Sequence, residues 1–154
     1  MLSVETESQE AQEDLGRRIA LAVKGDCVIY LHGELGAGKT TLVRGFLRGL
    51  GHQGSVRSPT YTLMEPYQTD AFSVYHLDLY RLADAGELEY LGVRDFLGTG
   101  AVLLVEWPER GEGDLPPADL LVEIEYRGTG RRLRLVPCTE AGRSIQDALE
   151  DAVS

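Results

Sequence analysis

The chain has 154 residues, 43% of them hydrophobic and 26% charged, the proportions of a soluble globular protein long enough for one well-filled core. A formal net charge of −10 excludes a broad phosphate-backbone footprint, and no apolar run approaches the ~20 residues of a membrane span. The acidic start is no secretory signal, and Cys27 and Cys138 form no C-x-x-C pair, so a cytoplasmic chain with two free thiols is expected.

Thr6-Glu7-Ser8-Gln9 reads as a capping box opening a first helix. Leu15, Ile19, Ala22 and Val23 carry that helix at its period, and Gly25-Asp26 ends it. Cys27-Val28-Ile29-Tyr30-Leu31 is an unbroken apolar run, as expected of a strand buried on both faces. Gly33-Glu34-Leu35-Gly36-Ala37-Gly38-Lys39-Thr40 follows and satisfies G-x-x-x-x-G-K-[ST]. Three glycines let the backbone turn tightly and approach an anion with no Cβ in the way. Backbone groups of Leu35, Gly36, Ala37, Gly38, Lys39, Thr40 and Thr41 would cradle nucleotide phosphates. Lys39 is a compact cation suited to the β- and γ-phosphates, and the Thr40 hydroxyl is a hard oxygen suited to Mg²⁺. A helix from Thr41 to Leu50 stops at Gly51, so the strand–loop–helix order adds a helix N-terminus to the anion site.

Downstream, residues 58–67 and 72–78 read as two strands joined by Gln68-Thr69-Asp70-Ala71, an antiparallel hairpin. Asp84-Ala85-Gly86-Glu87 is a capped start with Leu88 and Leu91 as its buried stripe and Gly92 as its stop; a short turn from Val93 to Leu97 follows. Ala101 to Val105 is a second fully buried strand. The last two strands alternate: Leu120, Val122, Ile124 and Tyr126 share one face, and Leu133 and Leu135 alternate with Arg132 and Arg134 across the Gly128-Thr129-Gly130 turn. Glu123 and Glu125 opposite those arginines favour antiparallel pairing, an edge hairpin with one wet face. Arg131 is in register with Leu133 and Leu135, so it points inward. Residues 139–152 form a terminal helix, and nothing marks a second domain within 1–154. The fold class is α/β: a P-loop NTPase-like mixed sheet with flanking helices and an antiparallel edge hairpin.

Phosphate chemistry needs a divalent ion and a carboxylate at a strand end. Two carboxylates qualify, Glu106 after the 101–105 strand and Asp78 after the 72–77 strand, and spacing alone does not say which serves metal or water. His76 lies on the same strand face as Asp78 and could be a ligand, but reads first as a hydrogen-bonded structural histidine. Arg81 could stabilise transferring phosphate but reads first as half of a structural ion pair, and Trp107 is either core or contact.

Four motifs occur in order: Gly36-Ala37-Gly38-Lys39-Thr40-Thr41, Ser58-Pro59-Thr60-Tyr61-Thr62-Leu63, His76-Leu77-Asp78-Leu79-Tyr80-Arg81 and Val105-Glu106-Trp107-Pro108. Together they resemble the bacterial TsaE (YjeE) family, the small ATPase of tRNA threonylcarbamoyladenosine biosynthesis. The resemblance implies ATP binding and slow hydrolysis that supports modification of adenosine 37 in tRNAs reading ANN codons, with TsaB and TsaD as partners. It implies that Thr40 and Glu106 hold Mg²⁺, that Asp78 is needed for hydrolysis, and that Ser58-Pro59-Thr60 is a switch-like loop near the γ-phosphate. Gln9 and Arg131 would contact the outer parts of the nucleotide. A net charge of −10 fits a chain that meets tRNA only through its partners.

Three rival readings remain distinguishable. A small P-loop metabolite kinase would need an arginine-bearing lid, and residues 84–98 carry only Arg94. A GTPase would need an Asn/Thr-Lys-x-Asp element, and the chain contains no asparagine. A nucleotide-responsive scaffold would act by its bound state alone.

Overall fold

Apolar content decides which strands lie in the middle of the sheet, and the computed structural model describes residues 1–84 and 86–153 of the result. In chain order the elements are β1 (Leu2–Thr6), α1 (Gln9–Ala22), β2 (Cys27–Gly33), α2 (Lys39–Gly49), β3 (Met64–Gln68), β4 (Ser73–Asp78), α3 (Gly86–Leu91), β5 (Val102–Glu106), β6 (Leu120–Arg127), β7 (Gly130–Pro137) and α4 (Glu140–Val153). Short 3₁₀ turns cover Val93–Phe96 and Pro108–Gly111. All seven strands form one sheet in the order β1-β7-β6-β2-β5-β4-β3. β5 is apolar up to its final Glu106 and buried at every residue, with β2 and β4 parallel on its two sides.

The two faces of the sheet are covered by different elements. α1 and α2 bury Leu15, Ile19, Leu42, Val43, Phe46 and Leu47 against β2, β5 and β6, and α4 adds Ile145 and Leu149. On the other face α3 and the following turn bury Leu88 and Val93 against Val28, Leu77, Leu103 and Val105. Each such fully buried side chain contributes ~1.5–3 kcal/mol of apolar transfer energy. α1 and α2 touch backbone to backbone: a Cβ built on Gly45 would lie 1.9 Å from the Glu13 carbonyl oxygen, and one on Gly16 would lie 2.2 Å from that of Leu42. Glycine at these positions is what lets α1 lie directly beside the helix that follows the phosphate loop.

The antiparallel pairing expected here forms, but its first strand is 64–68 rather than 58–67, with residues 58–63 outside any strand; this hairpin, β3 and β4, lies at an edge of the sheet. β6 and β7 pair antiparallel with Glu123 opposite Arg134 and Glu125 opposite Arg132. That second hairpin is not at the edge, because the unforeseen β1 adds to β7 from Leu2↔Leu135 to Thr6↔Arg131. The same strand moves the helix cap. Thr6 is spent in the sheet, and Ser8 caps α1, its Oγ accepting from the Ala11 N–H at 3.1 Å. The expected start at 84–87 falls partly on Ala85, outside the described residues; beyond it, α3 runs from Gly86, and Glu87 accepts from the N–H of Ala83 and Asp84. Cys27 is buried and Cys138 exposed, both as free thiols. Among the described residues no helix is long and apolar enough to cross a membrane.

Candidate functional site

The loop between β2 and α2 takes the shape its glycines permit. Gly36 and Gly38 sit at φ +79° and +104°, in the left-handed region that favours glycine. Gly38 is the N-cap of α2 and offers no side chain, so the first N–H groups of that helix face the cleft uncapped. Leu35 is exposed, and its carbonyl accepts from the Tyr126 hydroxyl at 2.9 Å, while Ala37 is buried. Lys39 is only 5% exposed; its Nζ donates to the carbonyls of Gly33 and Glu34 and lies 3.8 Å from the centre of the Trp107 ring. Burial lowers the Lys39 pKa, an effect opposed by the charges of Glu106, Asp78 and Glu109.

Parallel pairing of β4 and β5 sets Asp78 directly beside Glu106 at the C-terminal ends of their strands. Both are buried, at 4% and 3% exposure. Glu106 Oε2 accepts from the Thr40 hydroxyl at 3.2 Å and lies 2.5 Å from His76 Nε2. His76 is fully buried, the structural histidine expected, and it fixes the orientation of the Glu106 carboxylate. Asp78 Oδ2 accepts from the Thr60 hydroxyl at 3.0 Å and Oδ1 accepts from the Tyr80 N–H at 3.1 Å, so the 58–63 segment is tied to this carboxylate. Arg81 makes no ion pair among the described residues, contrary to expectation. It lies 4.6 Å over the Tyr61 ring, and the Tyr61 hydroxyl accepts from it at 3.4 Å. Trp107 is at φ +56°, a left-handed residue that turns its ring under Lys39.

These groups surround one cleft of about 570 Å³ containing Lys39, Thr40, Thr41, Asp78 and Glu106. Gln9 and Arg131 do not share it. They lie on the other side of the loop, with Thr41, in a cavity of about 250 Å³. Arg131 points inward as its register requires: its Nε donates to the Ala37 carbonyl at 3.2 Å, and its guanidinium stacks 4.2 Å from the Tyr126 ring. Gln12 belongs to the same group and escaped the sequence reading. Its Nε2 donates to the carbonyls of Ala37 at 3.2 Å and Gly38 at 2.8 Å. The available signal was a polar residue on the stripe of α1 that Leu15 and Ile19 bury.

The family model for threonylcarbamoyl adenosine biosynthesis protein TsaE matches residues 6–134. The chain is 52% identical over 124 residues to the tRNA threonylcarbamoyladenosine biosynthesis protein TsaE of Haemophilus influenzae, covering 80% of this chain and 78% of that protein. It is 41% identical to the TsaE protein of Aquifex aeolicus, over 82% of this chain and 88% of that one. Its fold superposes on the crystal structure of Bacillus subtilis YdiB with a TM-score of 0.86 and 28% identity, covering 99% of this chain and 96% of that one. The three motifs outside the phosphate loop thus meet on one cleft, and the match spans the sheet that holds them: the chain belongs to the TsaE family.

Proposed function

We propose that this chain is an ATP-binding, slowly ATP-hydrolysing subunit of tRNA threonylcarbamoyladenosine biosynthesis. It acts through TsaB and TsaD on formation of the threonylcarbamoyl group at adenosine 37 of tRNAs reading ANN codons. One observation carries the reading: the Thr40 hydroxyl, Glu106 and Asp78 converge at the mouth of a glycine loop whose helix N-terminus is uncapped. The donor set is all hard oxygen, which fits Mg²⁺. Thr40 and Glu106 would hold the ion, which when bound neutralises charge on the phosphates. His76 keeps Glu106 aimed and Thr60 keeps Asp78 aimed, so the two carboxylates take separate duties, Glu106 at the metal and Asp78 at the attacking water. Lys39 leaves its backbone carbonyls for the β- and γ-phosphates, and the peptide units from Leu35 to Thr41 bind the phosphate chain. Gln9 and Arg131, in the second cavity, serve the nucleoside end.

Arg81, the arginine lining the cleft, is stacked on Tyr61, so basal hydrolysis is expected to be slow and to rise with partners. Packing of Leu88 and Val93 into the core argues against a mobile kinase lid in that segment. An acidic, single-domain, cytoplasmic subunit leaves tRNA binding to TsaB and TsaD. The test is phosphate release with and without TsaB and TsaD from the same source, beside tRNA modification in the reconstituted mixture. Low basal release that rises with the partners, and modification lost when this chain is omitted, are the expected results. ATP consumption that requires a small acceptor instead, or no ATP binding even with partners present, would overturn the assignment.

A further inference from the structure

α1 is not part of the glycine loop, yet it reaches into it. The glycine contacts at Gly16 and Gly45 bring α1 against α2 at backbone distance, and Gln12 lies one turn before Gly16 on the same face. Its side chain is 4% exposed and spans the gap to the loop. A carboxamide has two N–H donors, and here the nitrogen meets two carbonyls, those of Ala37 and Gly38. The reverse amide orientation would set Oε1 against both carbonyl oxygens, so the hydrogen-bond pattern itself fixes which way the group points.

In a trans peptide the C=O and the N–H point to opposite sides of the chain. Holding the Ala37 carbonyl from behind therefore turns the Gly38 N–H the other way, and holding the Gly38 carbonyl does the same for the Lys39 N–H. Arg131 pulls the Ala37 carbonyl from the β7 side, and Leu42 N–H shares the Gly38 carbonyl at 3.0 Å. Gly38 itself is at φ +104°, in the left-handed region that glycine enters without strain. A Cβ on Gly38 would also lie 2.2 Å from the Gln12 nitrogen, so the glycine and the glutamine fit each other.

We infer that Gln12 is a positioning residue for the phosphate cradle, holding from behind the two peptide units whose N–H groups face the anion. The inference rests on the nucleotide reading above, because the benefit of a fixed cradle is avoided reorganisation on binding. Gln12→Met keeps the length of the side chain and removes both donors; Gln12→Ala removes the reach while keeping the best helix former in α1. Two measurements on the full chain decide it: calorimetric titration with Mg²⁺–ADP, and amide hydrogen exchange of the ligand-free protein. Both variants are expected to bind ADP about five- to thirty-fold more weakly, the loss of one or two buried hydrogen bonds. Exchange should quicken in residues 33–40 and stay unchanged in β2 and β5. Wild-type affinity in both variants would overturn the inference, and so would unchanged loop exchange. Exchange that rises throughout α1 and α2 would make Gln12 a packing residue only, which also overturns it. Absence of any heat with the wild-type chain would instead sink the nucleotide reading, while loop exchange would still decide whether Gln12 positions the cradle.

Discussion

Gly45→Ala sets two rules against each other. Helix propensity favours alanine over glycine inside α2 by ~1 kcal/mol. Geometry opposes it, because the new Cβ would lie 1.9 Å from the Glu13 carbonyl oxygen and 2.6 Å from its carbon, both backbone atoms of α1. Ordinary contact begins near 3.4 Å, so α1 would have to withdraw by about 1.5 Å. A gap of 0.5–1 Å already forfeits about a quarter to a half of each dispersion contact, and this one would open between Leu15 and Ile19 on one helix and Leu42 and Phe46 on the other. Overpacking costs ~1–3 kcal/mol, and with rigid backbone on both sides the upper end applies. Subtracting the propensity gain leaves a loss of ~2 kcal/mol, or a Tm lower by about 4–8 °C in a chain of this size. Thermal unfolding of the full chain, with urea unfolding as a second probe, reads it directly. A variant melting at or above the wild-type temperature would refute the reasoning, since it would mean that the two helices part at no cost.

Two further predictions concern the site and the core. Glu106→Gln keeps the shape of the side chain and removes its charge, so nucleotide affinity without metal should change little while the Mg²⁺ concentration needed for tight ATP binding rises by about tenfold or more; an unchanged metal titration would remove Glu106 from the ion's ligands. Burial pushes the Cys27 thiol up to about 12, with a smaller push from the Asp119 charge, so folding holds it protonated after an unfolded chain has released its proton. Stability should therefore drain by ~1.4 kcal/mol per pH unit from about pH 9 upward, and Cys27→Ala should flatten that alkaline limb. Urea midpoints that fall equally steeply in both proteins would count against it.

Much of the site was legible because its signals are local. The apolar run into Gly33, the glycine spacing and the helix period place Lys39 and Thr40 without knowledge of any distant contact. Glu106 and Asp78 were legible as strand ends, and parallel pairing in register makes them neighbours. What stayed hidden depends on partners far along the chain. β1 has only Leu2 and Val4 as apolar members and becomes a strand by hydrogen bonding to β7, more than a hundred residues away. Gln12 showed only as a polar residue on the stripe of α1 that Leu15 and Ile19 bury, and its partners emerge once α2 is seen at backbone distance. Arg81 lacked its expected acid because an aromatic ring in the 58–63 segment takes it instead, and the left-handed turn at Trp107 has no signature in a non-glycine residue.

β1 forms one edge of the sheet, and its last pair sets Thr6 across from Arg131, the residue that steadies the glycine loop from the β7 side. Removing β1 would bare a row of hydrogen-bonding groups along β7 and slacken the arginine beside them. Weak ligand capture by such a shortened chain would report the missing strand rather than a damaged phosphate loop.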